Sequence, residues 1–199
     1  MSARPDLIRK CLWSSCLVYL FLTGIHSLDC SFLNIQLRRV TGQNARLMSS
    51  MKGPLRQECL KDINNFELPE EIFLCNQSKK WNIKVNFYEI YANAFRIFSQ
   101  YTVKYSWEEE CMQQILMELN LQLESLEQCL KEEKENDEIK HTEAKFPWKE
   151  NLKLKRYFFR IQSYLRDKKY SDCAWKIVFV EIGRCFYHSL KLTRLSRKK

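Results

Sequence analysis

Apolar residues follow the helical repeat in five segments of the chain. Within each segment they recur at alternating steps of three and four residues, which places them on one face of an α-helix. The segments are Leu33–Met51, where Asn44 fills one step, and then Ile83–Tyr101, Met112–Leu130, Leu154–Leu165 and Trp175–Leu192. Few alternating runs typical of strands compete with them. The pattern predicts an all-α fold, a cytokine-type helical bundle of five helices.

The connections between these segments differ in length and composition. Gly53-Pro54 breaks the first helix, and the first connection is about 30 residues long, which favours a long crossover loop and allows the first two helices to run parallel. The third connection, residues 132–145, is acidic and polar and is expected to be a mobile loop. A tight turn with a helix cap at Ser171 or Asp172 joins the last two helices.

The first 27 residues have the layout of a secretory signal peptide. Arg4, Arg9 and Lys10 precede an apolar run of roughly 14 residues from Cys11 to Gly24, and small or polar residues follow up to Ser27. A membrane anchor is the alternative, but a span needs about 20 apolar residues. We therefore predict a signal peptide at 1–27, one helical domain at 28–199, no membrane span and a secreted product.

Secretion makes the cysteines disulfide candidates. Seven remain after the signal peptide, so at least one is free or pairs between chains, and spacing alone leaves the connectivity open. They are Cys30, Cys59, Cys75, Cys111, Cys129, Cys173 and Cys185. The sequon Asn76-Gln77-Ser78 lies in the long first connection, which makes Asn76 a candidate for glycosylation.

The sequence does not indicate an enzyme. Beyond the signal peptide it has only His141 and His188, and it contains no zinc-protease, phosphate-loop or serine-hydrolase motif. The cysteines are spaced too widely for a compact zinc site, and the aromatic run Tyr157-Phe158-Phe159 is interpreted as core. We expect no catalytic residues, no metal, no cofactor and no nucleic-acid partner.

Charge is distributed unevenly along the chain. Residues 106–144 carry twelve acidic and three Lys or Arg residues, whereas residues 145–199 carry sixteen Lys or Arg and four acidic residues. Solvated helix faces account for most such patterns. The C-terminal end is either a solubilising tail or a site for a polyanion such as heparan sulfate. Its basic residues are Lys191, Arg194, Arg197, Lys198 and Lys199.

Three short motifs resemble those of the type I interferons. The run Tyr170-Ser171-Asp172-Cys173-Ala174-Trp175, followed by Glu181-Ile182, is similar to the start of their last helix. Phe95-x-Ile97-Phe98-Ser99 resembles their second helix, and Arg156-Tyr157-Phe158-x-Arg160-Ile161 their fourth. The resemblance covers essentially all of the chain after the signal peptide. It implies the pairs Cys30–Cys129 and Cys59–Cys173 and leaves the state of Cys75, Cys111 and Cys185 open.

The resemblance also implies a function in which no chemical reaction is catalysed. A type I interferon binds both chains of the interferon-alpha/beta receptor, which triggers JAK-STAT signalling and an antiviral response. The high-affinity chain would contact Leu60, Ile63, Glu181 and Arg184, and the other chain Phe95, Arg96 and Lys155. At Ile63 most members carry an arginine, so weaker binding to the high-affinity chain is expected. The alternative is a basic secreted helical protein that is retained on sulfated glycans without specific receptor signalling.

Overall fold

The computed structural model describes residues 30, 33–51, 56–73, 80–101, 106–138 and 148–195. Within these ranges there are five α-helices and no strand, which confirms the predicted helical bundle. The helices are α1 (Leu33–Met51), α2 (Lys80–Phe98), α3 (Ser106–Glu138), α4 (Trp148–Asp167) and α5 (Asp172–Leu195). The predicted signal peptide, Asn76 and the tail residues Arg197, Lys198 and Lys199 lie outside the described residues.

The helices pack in a closed ring around one core. α1 lies against α5 and α3, α3 lies against α2, α2 against α4, and α4 against α5. Each helix contributes fully buried apolar side chains to the core, among them Leu37, Phe87, Ile115, Phe158 and Ile182. Each of the five predicted apolar stripes therefore has a neighbouring helix against which it is buried.

Two short 3-10 helices occupy the long first connection, at Gln57–Asp62 and Glu70–Phe73. Both contact α5. The first buries Cys59, and the second buries Ile72 and Phe73. The described part of this connection is therefore packed onto the bundle by its own apolar side chains.

The turn before α5 is formed without glycine. Lys169 and Tyr170 have positive φ angles of 49° and 53°, and the Tyr170 N–H donates to the Leu165 carbonyl oxygen at 2.8 Å, which closes the end of α4. Ser171 is the cap of α5, because its Oγ accepts a hydrogen bond from the Ala174 N–H at 3.3 Å. Of the two predicted cap residues, Asp172 instead occupies the first position of the helix.

Two expectations were wrong. α3 continues to Glu138, inside the segment expected to be a loop, because Glu and Lys are good helix formers and pairs such as Glu127 with Lys131, 2.9 Å apart, support a solvated helix. Phe159 is 64% exposed, whereas its neighbours Tyr157 and Phe158 are fully buried. It lies on the outer face of α4, beyond the reach of the core.

Disulfides join distant parts of the bundle. Cys30 is bonded to Cys129 and Cys59 to Cys173, the two pairs that the resemblance implies. Cys111 is also disulfide-bonded. Among the described residues Cys185 has a free thiol, and burial raises its pKa above the usual range, which keeps it protonated and unreactive. No helix in the described ranges is long and apolar enough to cross a membrane.

Candidate functional site

Two exposed apolar side chains stand on the first 3-10 helix and at its end. Leu60 is 51% exposed and Ile63 is 60% exposed. They are exposed because the opposite side of this two-turn element buries Cys59, which is bonded to the first turn of α5. Neighbouring exposed apolar side chains that are held on a fixed backbone make this element a candidate contact for a protein partner.

Side chains of α4 and of the turn after it fix the backbone at Asp62. The Tyr164 hydroxyl donates to the Asp62 carbonyl oxygen at 2.9 Å, and the Lys168 ammonium group donates to the Asp62 carboxylate at 2.7 Å. Burial raises the pKa of the Tyr164 hydroxyl to about 12, so the hydroxyl remains a donor at physiological pH. Asp62 is the residue before Ile63, and these bonds therefore set where Ile63 is displayed.

Arg160 of α4 holds the next part of the same connection. Its Nε–H donates to the carbonyl oxygen of Phe66 at 2.9 Å, and an Nη2–H donates to that of Glu67 at 3.1 Å. Phe66 is completely buried and packs edge-on against Tyr164, with ring centroids 5.1 Å apart. Glu67 has a positive φ of 52°. The planar guanidinium thus closes a backbone bend that glycine would usually form.

On α5 the two predicted contact residues have different environments. Glu181 is 8% exposed, and its carboxylate accepts hydrogen bonds from the Tyr157 hydroxyl at 3.0 Å and from Arg184 at 2.9 Å. Burial raises the pKa of Tyr157 well above its usual value, and the charge of Glu181 and its hydrogen bond to the phenol act in the same direction, so the phenol stays a donor. Glu181 therefore supports Arg184 from below, while Arg184 reaches the surface.

The outer face of α5 also carries apolar groups that periodicity alone did not single out. Val180 is 45% exposed and Tyr187 is 55% exposed, and they lie on either side of Arg184 at helical spacing. The ammonium group of Lys191 lies 4.7 Å from the centre of the Tyr187 ring. The only signal in the sequence was that these apolar residues fall outside the buried stripe of the helix.

A second surface is formed by α2 and α4, which pack against each other. Arg96 is exposed on α2, Phe95 is half-buried against the core, and Lys155 of α4 lies 3.7 Å from the Glu89 carboxylate of α2. The structure therefore brings the helices that carry these three predicted residues together. Exposed Leu152 and Phe159 stand one helical turn before and after Lys155 on α4.

The predicted polyanion site is described only in part. Lys191 is exposed near the end of α5. Arg194 belongs to the same helix. The other three basic residues lie outside the described residues.

Comparisons with known proteins agree on one family. The model of the interferon alpha/beta domain matches residues 33–196, a range that contains all five helices. Interferon kappa of Homo sapiens is 49% identical over 208 aligned residues, which cover 100% of both chains. Interferon kappa of Mus musculus is 41% identical over 89% of this chain and 86% of that protein. Interferon beta of Homo sapiens is 36% identical over 94% of this chain and 97% of that protein.

The matched range contains the whole bundle and the connection that displays Leu60 and Ile63. The three relatives are themselves matched over most of their length. The chain therefore belongs to the type I interferon family.

Proposed function

We propose that the protein is a secreted cytokine that binds both chains of the interferon-alpha/beta receptor and thereby triggers JAK-STAT signalling and an antiviral, immunomodulatory response. The observation that carries the proposal is the exposed pair Leu60 and Ile63 on a backbone fixed at both sides. A disulfide to α5 and hydrogen bonds from α4 hold it before any partner arrives. Preorganisation of this kind lowers the entropy cost of association.

The surface with Leu60, Ile63 and Arg184 is the one that we assign to the high-affinity receptor chain. Its apolar residues offer anchors that lose water on binding, and Arg184 offers a planar donor that is already oriented by Glu181. Ile63 cannot supply the bidentate donors of an arginine, so this contact is expected to depend on apolar burial. Glu181 serves as a supporting residue for the same surface.

The surface with Phe95, Arg96 and Lys155 is assigned to the other receptor chain. Its helices, α2 and α4, lie next to each other, so one partner can cover residues of both. Exposed Phe159 and Leu152 extend the apolar part of this surface. A single cytokine with two such surfaces brings two receptor chains together, and no covalent chemistry is needed.

A signalling assay in matched cell lines tests the proposal. Purified protein should induce STAT phosphorylation in cells with both receptor chains and none in cells that lack either one. Leu60→Ala should weaken binding to the high-affinity chain, because it removes exposed apolar area from the contact. Ile35→Ala is the matched control, since Ile35 is 67% exposed but lies on α1, outside both surfaces. Equal signalling in the receptor-deficient cells would refute the proposal.

Secretion and glycosylation belong to the same proposal. Cleavage after Ser27 would make Leu28 the first residue of the mature protein, and a glycan would be attached at Asn76. Amino-terminal sequencing of protein from the medium tests the first expectation. A mass shift on treatment with an amidase that removes N-linked glycans tests the second.

Retention on sulfated glycans such as heparan sulfate is the second candidate function. The supporting observation is that α5 presents Arg184 and Lys191 on its exposed face and continues towards the basic residues at the end of the chain. Binding to a polyanion would be compatible with receptor signalling and would hold the cytokine near its source. Heparin chromatography distinguishes this from a tail that only improves solubility.

A further inference from the structure

Buried side-chain polar atoms without a hydrogen-bond partner are concentrated on α1 and α3. Among the described residues, seven buried side-chain atoms on these two helices have no hydrogen-bond partner, and six of the seven are acceptor oxygens. They belong to Gln36, Gln43 and Asn44 on α1 and to Gln114, Glu118 and Gln122 on α3. Such atoms are rare in folded proteins, because a buried polar group without a partner loses its hydration and gains nothing in return.

Five of the six residues fall on a single side of their helix. Gln114, Glu118 and Gln122 are spaced by four residues, which places them on one side of α3, and Gln36 and Gln43 are seven apart, on one side of α1. The two helices pack against each other. The charge of Arg39, midway between the two α1 glutamines, acts on the Glu118 carboxylate, which places this part of α1 beside the α3 stripe.

The unpartnered atoms of these six residues are mostly oxygens, which need hydrogen-bond donors. Among these six residues Asn44 has an unpaired nitrogen, and the Gln114 Nε2–H already donates to Glu118 at 3.1 Å. A proton on Glu118 could satisfy a single neighbour and would leave the other oxygens without a partner. The group therefore has more unpartnered acceptors than donors.

We propose that the α1–α3 interface encloses a hydration site, in which bound water donates hydrogen bonds to the side-chain oxygens of Gln114, Glu118 and Gln122. Water suits a group of buried acceptors with one available donor, since a buried water makes two to four hydrogen bonds. A divalent cation suits it poorly. Such ions are held by several carboxylates, whereas this group has one, with the positive charge of Arg39 nearby.

Magnetic resonance of the intact, isotope-labelled protein tests the site. Transfer of magnetisation from water should reach the side-chain amide protons of Gln114 and Asn44 with the sign that marks long-lived bound water. Gln113 is the matched control, because it is an exposed glutamine one position away on the same helix. Its amide should report only short-lived surface water.

A variant and a chelator complete the test. Gln122→Met keeps the length of the side chain but removes one acceptor, so the long-lived water signal at Gln114 should weaken while the remaining spectrum shows an intact fold. The proposal would be overturned if Gln114 and Asn44 gave the same short-lived signal as Gln113 in the folded parent. It would also be overturned if a chelator of divalent cations shifted these amide resonances, since a metal ion would then be the occupant.

Discussion

Glu118 offers the sharpest test of how the buried interface between α1 and α3 is organised. The residue is 2% exposed, and burial raises its pKa to about 7, against opposing contributions from the Gln114 hydrogen bond and the Arg39 charge. In the unfolded chain the value returns to the ordinary 4.5. The folded state therefore holds this proton more tightly than the unfolded state does.

The direction of the pH dependence follows from that difference. The carboxyl destabilises the fold above pH 7, where it must ionise in place, and the penalty shrinks as the pH falls towards 4.5. At about 1.4 kcal/mol per unit, the full penalty is about 3 kcal/mol. Glu118→Gln removes the ionisation and keeps an oxygen that can accept from Gln114. The variant should therefore be more stable than the parent at about pH 8, by up to about 3 kcal/mol, with the advantage gone near pH 4.

Urea unfolding of parent and variant across this pH range, with disulfides intact, measures the difference. Glu124→Gln is the matched control: Glu124 is exposed, lies on the same helix and also accepts a hydrogen bond from an amide four residues earlier, Asn120, at 2.8 Å. Its replacement gives the effect of removing a carboxylate from an exposed position of the same helix, with which the Glu118→Gln difference is compared at each pH. The reasoning is refuted if the difference in unfolding free energy between Glu118→Gln and the parent does not vary with pH, because the carboxyl would then ionise as freely in the folded protein as in the unfolded chain.

Three further predictions concern the surface. Arg160→Ala should weaken binding to the high-affinity receptor chain about tenfold, because two charge-assisted hydrogen bonds to the loop backbone are lost. Surface plasmon resonance should show this mainly as faster dissociation. Arg166→Ala, a change on the same helix, should have no effect. Ile63→Arg should strengthen the same interaction with little change in the unfolding free energy, and no gain in a correctly folded variant would show that the loop docks differently from its relatives. Neutralising the tail should lower the salt needed for elution from heparin and leave signalling largely intact, whereas unchanged elution would mark it as a solubilising end. The tail residues to replace are Arg194, Arg197, Lys198 and Lys199.

The helices could be predicted from the sequence because each one leaves its own periodic pattern. Leu37 and Phe158 fall on the predicted stripes and are completely buried. The cap of α5 was also visible, since capping is a local bond between Ser171 and a residue three positions away. Resemblance, and not spacing, indicated which cysteines pair.

Contacts between distant segments could not be obtained in the same way. Arg160 bonds to backbone groups more than ninety residues earlier in the chain, and nothing in the pattern around it shows that these groups are near. Glu181 is a charged residue of the kind usually found on the surface, yet it is buried, because Tyr157, 24 residues away, donates a hydrogen bond to its carboxylate. Periodicity describes one helix at a time, whereas these residues depend on which helices become neighbours.

The long spans of the disulfides have a consequence for biosynthesis. Cys59 is separated by 114 residues from Cys173, which lies in the first turn of the last helix. At about 5–20 residues per second, the ribosome needs roughly 6–23 s to make that stretch. In the secretory pathway proposed above, Cys59 is throughout that interval a thiol without its native partner, alongside the other cysteines made before Cys173. Correct pairing must therefore wait for α5, and the yield of active protein should depend on the isomerase activity of the secreting cell.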